Sequence, residues 1–192
     1  MNKVKVIIAY HSGYGHTKKQ AEAVFAGVTA VAGVGVQMVN VADLSDHVWQ
    51  ALEEADAIVF GAPTYMGGAS AEFKKFADAS SKPWMEQKWK NKIAGGFTNS
   101  GSINGDKFST VQYFVTLAMQ HSMIWVGTGL LPANKSTSTR NDVNWLGGFA
   151  GAYAQSPVDV GPDAGPLPGD LETAKRYGER IAEITKKFKG VA

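Results

Sequence analysis

The stretch VKVIIAYHSGYGHTKKQAEAVF, residues 4–25, decides the fold of this chain. Its first seven residues are mostly apolar and β-branched, which predicts a strand buried on both faces. Its last part repeats apolar residues at the spacing of an amphipathic helix, starting from Ala21. A short loop, residues 12–17, joins the two. A strand that leads through a tight loop into a helix is the first unit of an alternating α/β fold.

The loop itself predicts an anion site. It consists of Ser12, Gly13, Tyr14, Gly15, His16 and Thr17. The first turn of the following helix has unpaired N–H groups that carry partial positive charge. Glycines allow the backbone to approach an anion closely, and the two hydroxyl side chains add donors. The alternative is a glycine-rich turn that binds nothing, and we favour the anion site because the loop follows the first strand directly.

The residue types narrow the choice of phosphate. A Walker A loop is excluded because neither its glycine spacing nor its lysine is present. The dinucleotide fingerprint is also excluded, since Lys18 stands where its third glycine belongs. The acid that binds the ribose in that fingerprint would fall in residues 38–40, which contain none. A hydroxyl-rich loop without an internal basic residue suits one terminal phosphate, such as that of flavin mononucleotide (FMN).

Length and composition predict one domain, residues 1–192. Hydrophobic residues make up 44% of the chain and charged residues 19%, as in globular proteins. The absence of cysteine excludes disulfides, cysteine-ligated iron–sulfur clusters, thiolate zinc sites and thiol catalysis. Redox chemistry therefore requires an organic cofactor, and we predict no metal site.

The charge balance gives no reason to expect a nucleic-acid partner, because the formal net charge is only +2. Two tryptophans, Trp84 and Trp89, alternate with lysines, but a connecting segment with an anchoring tryptophan explains this pattern better than a nucleic-acid face does. Residues 114–133 contain Gln120, His121 and two glycines, so we expect no membrane span. The chain enters a strand directly after Met1, and we therefore expect a cytoplasmic protein without a leader segment.

Strand-like and helix-like segments alternate along the chain. After the first unit, the predicted strands are residues 34–41, 57–61, 92–98 and 123–131, and the predicted helices are residues 44–55, 71–79, 107–121 and 171–188. This pattern predicts an α/β fold of flavodoxin type, a doubly wound, five-stranded parallel sheet of order 2-1-3-4-5 with helices on both faces. We expect Asp170 to cap the last helix.

Residues 132–169 are too long for an ordinary connection. Within them, residues 144–155 are interpreted as a short helix. The long segment is either a lid with a subunit contact or a loosely ordered excursion. Its apolar side chains favour a homo-oligomer in which it contacts another subunit. These side chains are Trp145, Leu146, Phe149 and Tyr153.

Two further loops follow the predicted third and fourth strands. The first contains Pro63, Thr64, Tyr65, Met66 and Gly67, and the second contains Thr98, Asn99, Ser100, Gly101, Ser102, Ile103 and Asn104. They combine apolar surface with small donors and acceptors, which is what a flavin ring requires. Ligands of doubly wound sheets bind at the carboxyl ends of the strands, so all three loops are predicted to hold one flavin.

These motifs resemble the flavodoxin-like superfamily, and within it the WrbA-type NAD(P)H:quinone oxidoreductases and NADPH-dependent FMN reductases. The shared motifs are SGYGHT, GAPTYMG, TNSGS and LAMQHSM, together with Trp84. The resemblance implies that the first loop binds the FMN phosphate and that the other two hold the isoalloxazine ring. It also implies that His121 contacts the flavin as the candidate catalytic residue, that Tyr14 contacts the nicotinamide and that Trp84 forms a wall on the substrate side.

The chain departs from these quinone reductases in two places. It lacks the long insertion after the second strand that supports their tetramer, since Val41 leads directly into the second helix. In the flavin loop, Tyr65 and Met66 stand where the family has arginine and phenylalanine. The first departure bears on whether this chain forms the tetramer of those enzymes, and the second bears on which substrate it accepts.

The sequence as a whole favours an FMN-dependent oxidoreductase that passes hydride from NAD(P)H through the flavin to a small, quinone-like acceptor. The main alternative is a flavodoxin-type electron carrier without NAD(P)H oxidoreductase activity. Carriers of that type tend to be strongly acidic, whereas this chain has 19 basic and 17 acidic residues. A flavin-binding regulatory or stress protein is the third hypothesis.

Overall fold

The first strand lies inside the sheet, with neighbours on both sides. β1 (Val4–Tyr10) pairs in parallel with β2 (Val34–Asn40) and with β3 (Ala57–Tyr65). Successive side chains of a strand point to opposite faces, and six of the seven in β1 are buried, so both faces are covered. The computed structural model describes residues 4–191.

The remaining strands extend the sheet past β3. β5 (Ile93–Ser100) pairs in parallel with β3, and β6 (Ile124–Trp125) pairs in parallel with β5. The resulting order, β2-β1-β3-β5-β6, confirms the predicted 2-1-3-4-5 arrangement, in which β5 and β6 are the fourth and fifth strands. A two-residue strand, β4 (Gly68–Ala69), folds back on the end of β3 as an antiparallel hairpin.

Helices cover both faces of the sheet, as predicted. One face carries α1 (His16–Thr29) and α6 (Pro168–Lys189), and the other carries α2 (Asp46–Glu54), α3 (Ala71–Ala79) and α5 (Lys107–Gln120). A short helix, α4 (Ser81–Met85), follows α3. Two hydrophobic cores result, one on each side of the sheet.

The two helices of the first face pack closely against each other. Gly27 of α1 and Gly178 of α6 are buried at their crossing, and a Cβ on either would overlap the backbone of the opposite helix. Glycine inside a helix is unfavourable by about 1 kcal/mol relative to alanine. The close contact that these glycines allow between the two helices offsets this cost in helix stability. The other core is rich in aromatic rings, which are Phe60, Phe73, Phe76, Trp89 and Phe114.

The prediction of a fifth strand over residues 123–131 is wrong beyond Trp125. The edge position of the sheet is instead shared by β6 and a later strand, β7 (Ala152–Gln155), which also pairs in parallel with β5. The chain leaves the edge after Val126, and the N–H of Thr128 then donates to the carbonyl of Phe149 at 3.0 Å. It returns at Gly151, where a Cβ would overlap the carbonyl oxygen of Gly96.

Two further predictions in this part of the chain are corrected. Residues 144–155 do not form a helix, because glycines interrupt them and their last four residues form β7. Asp170 does not cap α6, since the helix begins at Pro168 with Leu167 as its N-cap. The carboxylate of Asp170 lies inside the first turn and pairs with Arg140 at 2.9 Å.

The third strand is four residues longer than the predicted segment, residues 57–61. The ladder with β5 continues as far as Pro63, which lies opposite Asn99, and Thr64 and Tyr65 pair with β4. This extension carries three of the predicted flavin-loop residues to the carboxyl edge of the sheet. Over residues 4–191, no helix is both long and apolar enough to cross a membrane.

Candidate functional site

The loops after β1, β3 and β5 meet at one cavity at the carboxyl edge of the sheet. Its volume is about 680 Å³. Ten of the predicted residues line it, and these are Ser12, Tyr14, His16, Thr17, Pro63, Thr64, Tyr65, Asn99, Ser100 and Gly101. The three loops meet because parallel strands have their carboxyl ends at the same edge.

The first loop forms a cradle of hydrogen-bond donors. The Ser12 Oγ accepts the N–H groups of Gly15 and Lys18, each at 3.1 Å, and this leaves its own hydrogen free to donate. Gly15 has a φ of +91°, a conformation that favours glycine, and it turns the chain into α1. The N–H groups of His16 and Thr17 lie in the first helical turn, where an α-helix provides no partner. Such a donor set suits a phosphate.

Two tyrosines stand at the mouth of the cavity. The Tyr14 side chain is 79% exposed and Tyr65 is 40% exposed, and their ring centroids lie 6.4 Å apart at an interplanar angle of 69°. Partial burial, assisted by the nearby Tyr14, raises the pKa of the Tyr65 hydroxyl. Both rings offer aromatic surface to a ligand. The next two predicted residues, Met66 and Gly67, form the tip of the hairpin, and Met66 is fully exposed there.

The wall opposite the cradle comes from the end of β5. Asn99 is 5% exposed, and its Oδ1 accepts a hydrogen bond from Ser156 at 3.1 Å. This bond orients the amide so that its NH₂ group remains available as a donor. Behind the wall, the Thr64 hydroxyl bonds to those of Thr98 and Thr110 at 2.8 and 2.7 Å. Thr98 therefore supports the wall from behind.

The end of the third loop is fixed from inside the protein. Lys107, the first residue of α5, donates its ammonium group to the Ser100 Oγ at 2.9 Å and to the carbonyls of Ser102 and Ile103, each at 2.7 Å. Asn104 accepts the N–H of Lys107 through its backbone carbonyl. The last three predicted loop residues, Ser102 to Asn104, thus support the cavity wall and do not line it. Sequence reasoning missed Lys107, because nothing in the spacing shows that its side chain turns inward.

Sequence reasoning also missed the residues that close the cavity. Residues 156–165, which we call the strap, run across the cradle and contribute five lining residues. The His16 Nδ1 lies 2.9 Å from the carbonyl oxygen of Gly165, and Lys19 pairs with Asp163 at 3.3 Å. The segment predicted as a lid or an excursion therefore folds back on its own domain here. Its ten residues, SPVDVGPDAG, mix glycine and proline with small polar and apolar residues, and they gave no periodic signal.

His121 and Trp84 lie elsewhere. They line a second cavity of about 630 Å³ beyond the carboxyl end of α5. The 14 residues of α5 begin at the first cavity and span about 21 Å, so they carry His121 to the opposite edge of the sheet. Within one chain, the structure therefore does not bring these two predicted residues to the three loops.

The surroundings of His121 fix its protonation. The Ser80 hydroxyl donates to the carbonyl of Ala77, so it must accept the Nε2–H of His121, at 2.8 Å. The remaining ring nitrogen, Nδ1, is buried and has no hydrogen-bond partner among the described residues. Desolvation lowers the pKa of His121 to about 4. The imidazole is therefore neutral at pH 7, and it stacks at 4.1 Å from the buried ring of Trp89.

Comparison with known proteins agrees with this geometry. The sequence pattern of the NADPH-dependent FMN reductases matches residues 2–138. The chain is 48% identical to Flavodoxin FldP of Pseudomonas aeruginosa over 184 residues, which cover 96% of this chain and 98% of the relative. It is 32% identical to an NAD(P)H dehydrogenase (quinone) of Geobacter sulfurreducens, with coverage of 97% and 100%.

A solved structure has the same fold. A flavodoxin, WrbA-like protein from Agrobacterium tumefaciens superimposes with a TM-score of 0.75 and 44% sequence identity, over 96% of this chain and 99% of the other. The family match covers well over half of the chain and includes the cradle and the two flavin loops. The chain belongs to the flavodoxin-like family of NADPH-dependent FMN reductases.

Proposed function

We propose that the protein is an FMN-dependent oxidoreductase that passes electrons from NAD(P)H through the flavin to a small quinone-like acceptor. The observation that carries this proposal is one cavity with a donor cradle at one end and exposed aromatic surface at its mouth. A carrier that exchanges single electrons with proteins needs only a bound flavin with an accessible edge. A reductase also needs room for nicotinamide and acceptor rings beside the flavin.

The residues present fit FMN. The first-turn N–H groups, the Ser12 hydroxyl and the buried Thr17 would hold the phosphate. The Asn99 amide and the backbone at Ser100 and Gly101 would donate to polar atoms of the ring. When bound, FMN accepts two electrons as hydride from a reduced nicotinamide and returns them to a quinone. The protein's part is to orient the ring and to exclude water from it.

The identity of donor and acceptor rests on two arguments. Tyr14 is exposed over most of its surface at the cavity mouth, and aromatic rings stack favourably on nicotinamide and quinone rings. Relatives at about 30% identity carry the names NAD(P)H dehydrogenase (quinone) and, in Triphysaria versicolor, Quinone-oxidoreductase QR2. We therefore propose NAD(P)H as the donor and a quinone as the acceptor.

A second candidate function is that of an electron carrier. The 48% identity to Flavodoxin FldP favours it. The charge balance argues against it, because 19 basic and 17 acidic residues do not provide the acidic surface that steers such carriers to their partners. The reductase is thus the better supported of the two.

We also propose that the active form is a homo-oligomer. Trp84 lies on α4 and His121 directly follows α5, so both lie at the end of α5 that is remote from the flavin loops of their own chain. Their second cavity is open, and Trp84 is 47% exposed beside it. If these residues act on a flavin, as the family resemblance implies, that flavin belongs to another copy of the chain. Light scattering should show a dimer or a larger assembly at micromolar concentration.

An anaerobic titration tests the function. The FMN-loaded protein is mixed with NADH or NADPH, and benzoquinone is added after the flavin absorbance has been bleached. The reductase reading predicts bleaching within the mixing time or seconds, one two-electron step in spectroelectrochemistry and full recovery with benzoquinone. A protein that NAD(P)H does not reduce over minutes, and that takes up electrons one at a time from dithionite, is a carrier.

A further inference from the structure

Lys107 places a buried positive charge directly behind the wall of the flavin cavity. Its side chain is 2% exposed, and the ammonium group contacts Ser100, Ser102 and Ile103 at 2.7–2.9 Å. Ser100 is itself a lining residue of the cavity. One residue therefore separates the charge from the space in which the flavin ring would lie.

The position is unfavourable for a cation in three ways. Burial is the largest effect and lowers the pKa of Lys107 to about 8. The residue begins α5, where the partial positive charge of the helix amino terminus repels it. Arg140 repels it as well, while Asp170 attracts it. A neutral amide could donate to the same carbonyls without these penalties, so hydrogen bonding alone does not explain a lysine here.

The surrounding charges are not balanced. Asp170 is already engaged by Arg140, through contacts of 2.9 and 3.2 Å. Lys107, Arg140 and Asp170 together carry one net positive charge, and over residues 4–191 no carboxylate lies within 4 Å of the Lys107 amine. A buried excess charge of this kind is stabilised when an anion binds nearby. Ser100, to which the Lys107 amine donates, connects this cluster to the cavity that it lines.

Two groups of bound FMN can carry the negative charge that Lys107 would stabilise. The phosphate has its own cradle at the start of α1, on a different loop. The ring is neutral when oxidised, and uptake of two electrons and one proton leaves it with one negative charge at its N1–O2 edge. This step rests on the proposed function, in which the third loop holds the flavin ring. Lys107 lies directly behind that loop. We propose that Lys107 is a positioning residue that selectively stabilises the two-electron-reduced, anionic form of the bound flavin.

The test compares the affinity of the two redox forms. Dissociation constants for oxidised FMN and for dithionite-reduced FMN are measured anaerobically at pH 7 with wild type, Lys107→Met and Lys107→Gln. Lys107→Gln removes the charge and retains an N–H donor for the loop carbonyls, whereas Lys107→Met removes both. For both variants, the constant for reduced FMN should rise at least tenfold more than that for oxidised FMN. By the thermodynamic cycle, the two-electron potential then falls by about 30 mV or more.

Two other outcomes would overturn the proposal. An equal rise for both redox forms would mean that Lys107 only shapes the loop, or acts on the phosphate, and would overturn the proposal. So would an unchanged ratio in Lys107→Gln. Lys90→Met, which removes an exposed lysine before β5, serves as the matched control and should leave both constants unchanged. If the wild type binds neither form, the proposed function fails, and this is visible before any variant is compared.

Discussion

The Tyr177 hydroxyl accepts a hydrogen bond from the N–H of Gly96 at 3.1 Å, at the point where the edge strand of the sheet is interrupted. β6 ends opposite Ala94 and β7 begins opposite Phe97, so the N–H of Gly96 faces the gap between them. The same hydroxyl donates to the carbonyl of Val126 at 2.5 Å, where the chain leaves the edge. A side chain of α6 thus replaces the missing strand residue in the hydrogen-bond ladder.

Replacing Tyr177 by phenylalanine should therefore destabilise the fold. The change leaves a buried N–H and a buried carbonyl without partners, which costs about 1–3 kcal/mol of unfolding free energy. Burial raises the pKa of Tyr177 well above its usual range, so the hydroxyl remains a donor at every pH at which the protein is handled. Urea unfolding followed by circular dichroism measures the loss. Tyr113→Phe, a partly exposed tyrosine on α5, should change stability by less than about 0.5 kcal/mol.

The contact between His16 and Gly165 should control access to the cradle. Because a carbonyl can only accept, the His16 Nδ1 carries the hydrogen of this bond. In His16→Ala the strap loses this bond, worth about 1 kcal/mol, and FMN should dissociate about fivefold faster. Limited proteolysis should also cut the strap, residues 156–165, more readily. Equal rates of release and cleavage in His16→Ala and in His47→Ala, an exposed histidine of α2, would contradict this role.

His121 should make stability depend on pH in the acid range. Its pKa is lowered from 6.5 to about 4 by desolvation, so between these values only the unfolded chain takes up the proton. The neutral, buried imidazole contributes fully to the free energy of unfolding above pH 6.5. Its contribution declines as the pH falls, and below pH 4 the total loss is about 3 kcal/mol. The difference in unfolding free energy between wild type and His121→Gln should shrink accordingly from pH 7 to pH 4. His47→Gln, at an exposed histidine of α2, is the matched control, and an equal narrowing of its difference would contradict this role of His121.

The sequence predicted the parts of the site that depend on local pattern. Ser12, Gly15 and Thr17 could be assigned to an anion site because glycines and hydroxyls directly follow a strand and open a helix. The parts that it missed depend on contacts between distant segments. His16 and Gly165 are 149 residues apart, and the Lys107 side chain turns inward only because β5 and α5 place its loop there. Such contacts leave no periodic pattern in the sequence.

The wrong prediction of a long fifth strand at the sheet edge has a similar cause. Residues 123–131 are apolar enough for a strand, but only Ile124 and Trp125 pair with β5. The remainder is displaced by a return of the chain more than twenty residues later, through Gly151 into β7. A strand of two residues carries almost no pattern of its own. Competition between two segments for one edge is settled by packing against α6, to which Tyr177 belongs.

The central claim is that the cradle at the start of α1 holds the phosphate of FMN, and calorimetric comparison of FMN with riboflavin, which lacks that phosphate, tests it most directly. Hydrogen bonds to a charged acceptor contribute about 1.5–3 kcal/mol each, so wild type should bind FMN at least about 100-fold more tightly than riboflavin. In the double variant Ser12→Ala, Thr17→Ala this ratio should fall at least tenfold. Thr29→Ala, at the far end of the same helix, should leave it unchanged. A wild type that binds both flavins equally, or a double variant that keeps the full ratio, would show that the phosphate lies elsewhere.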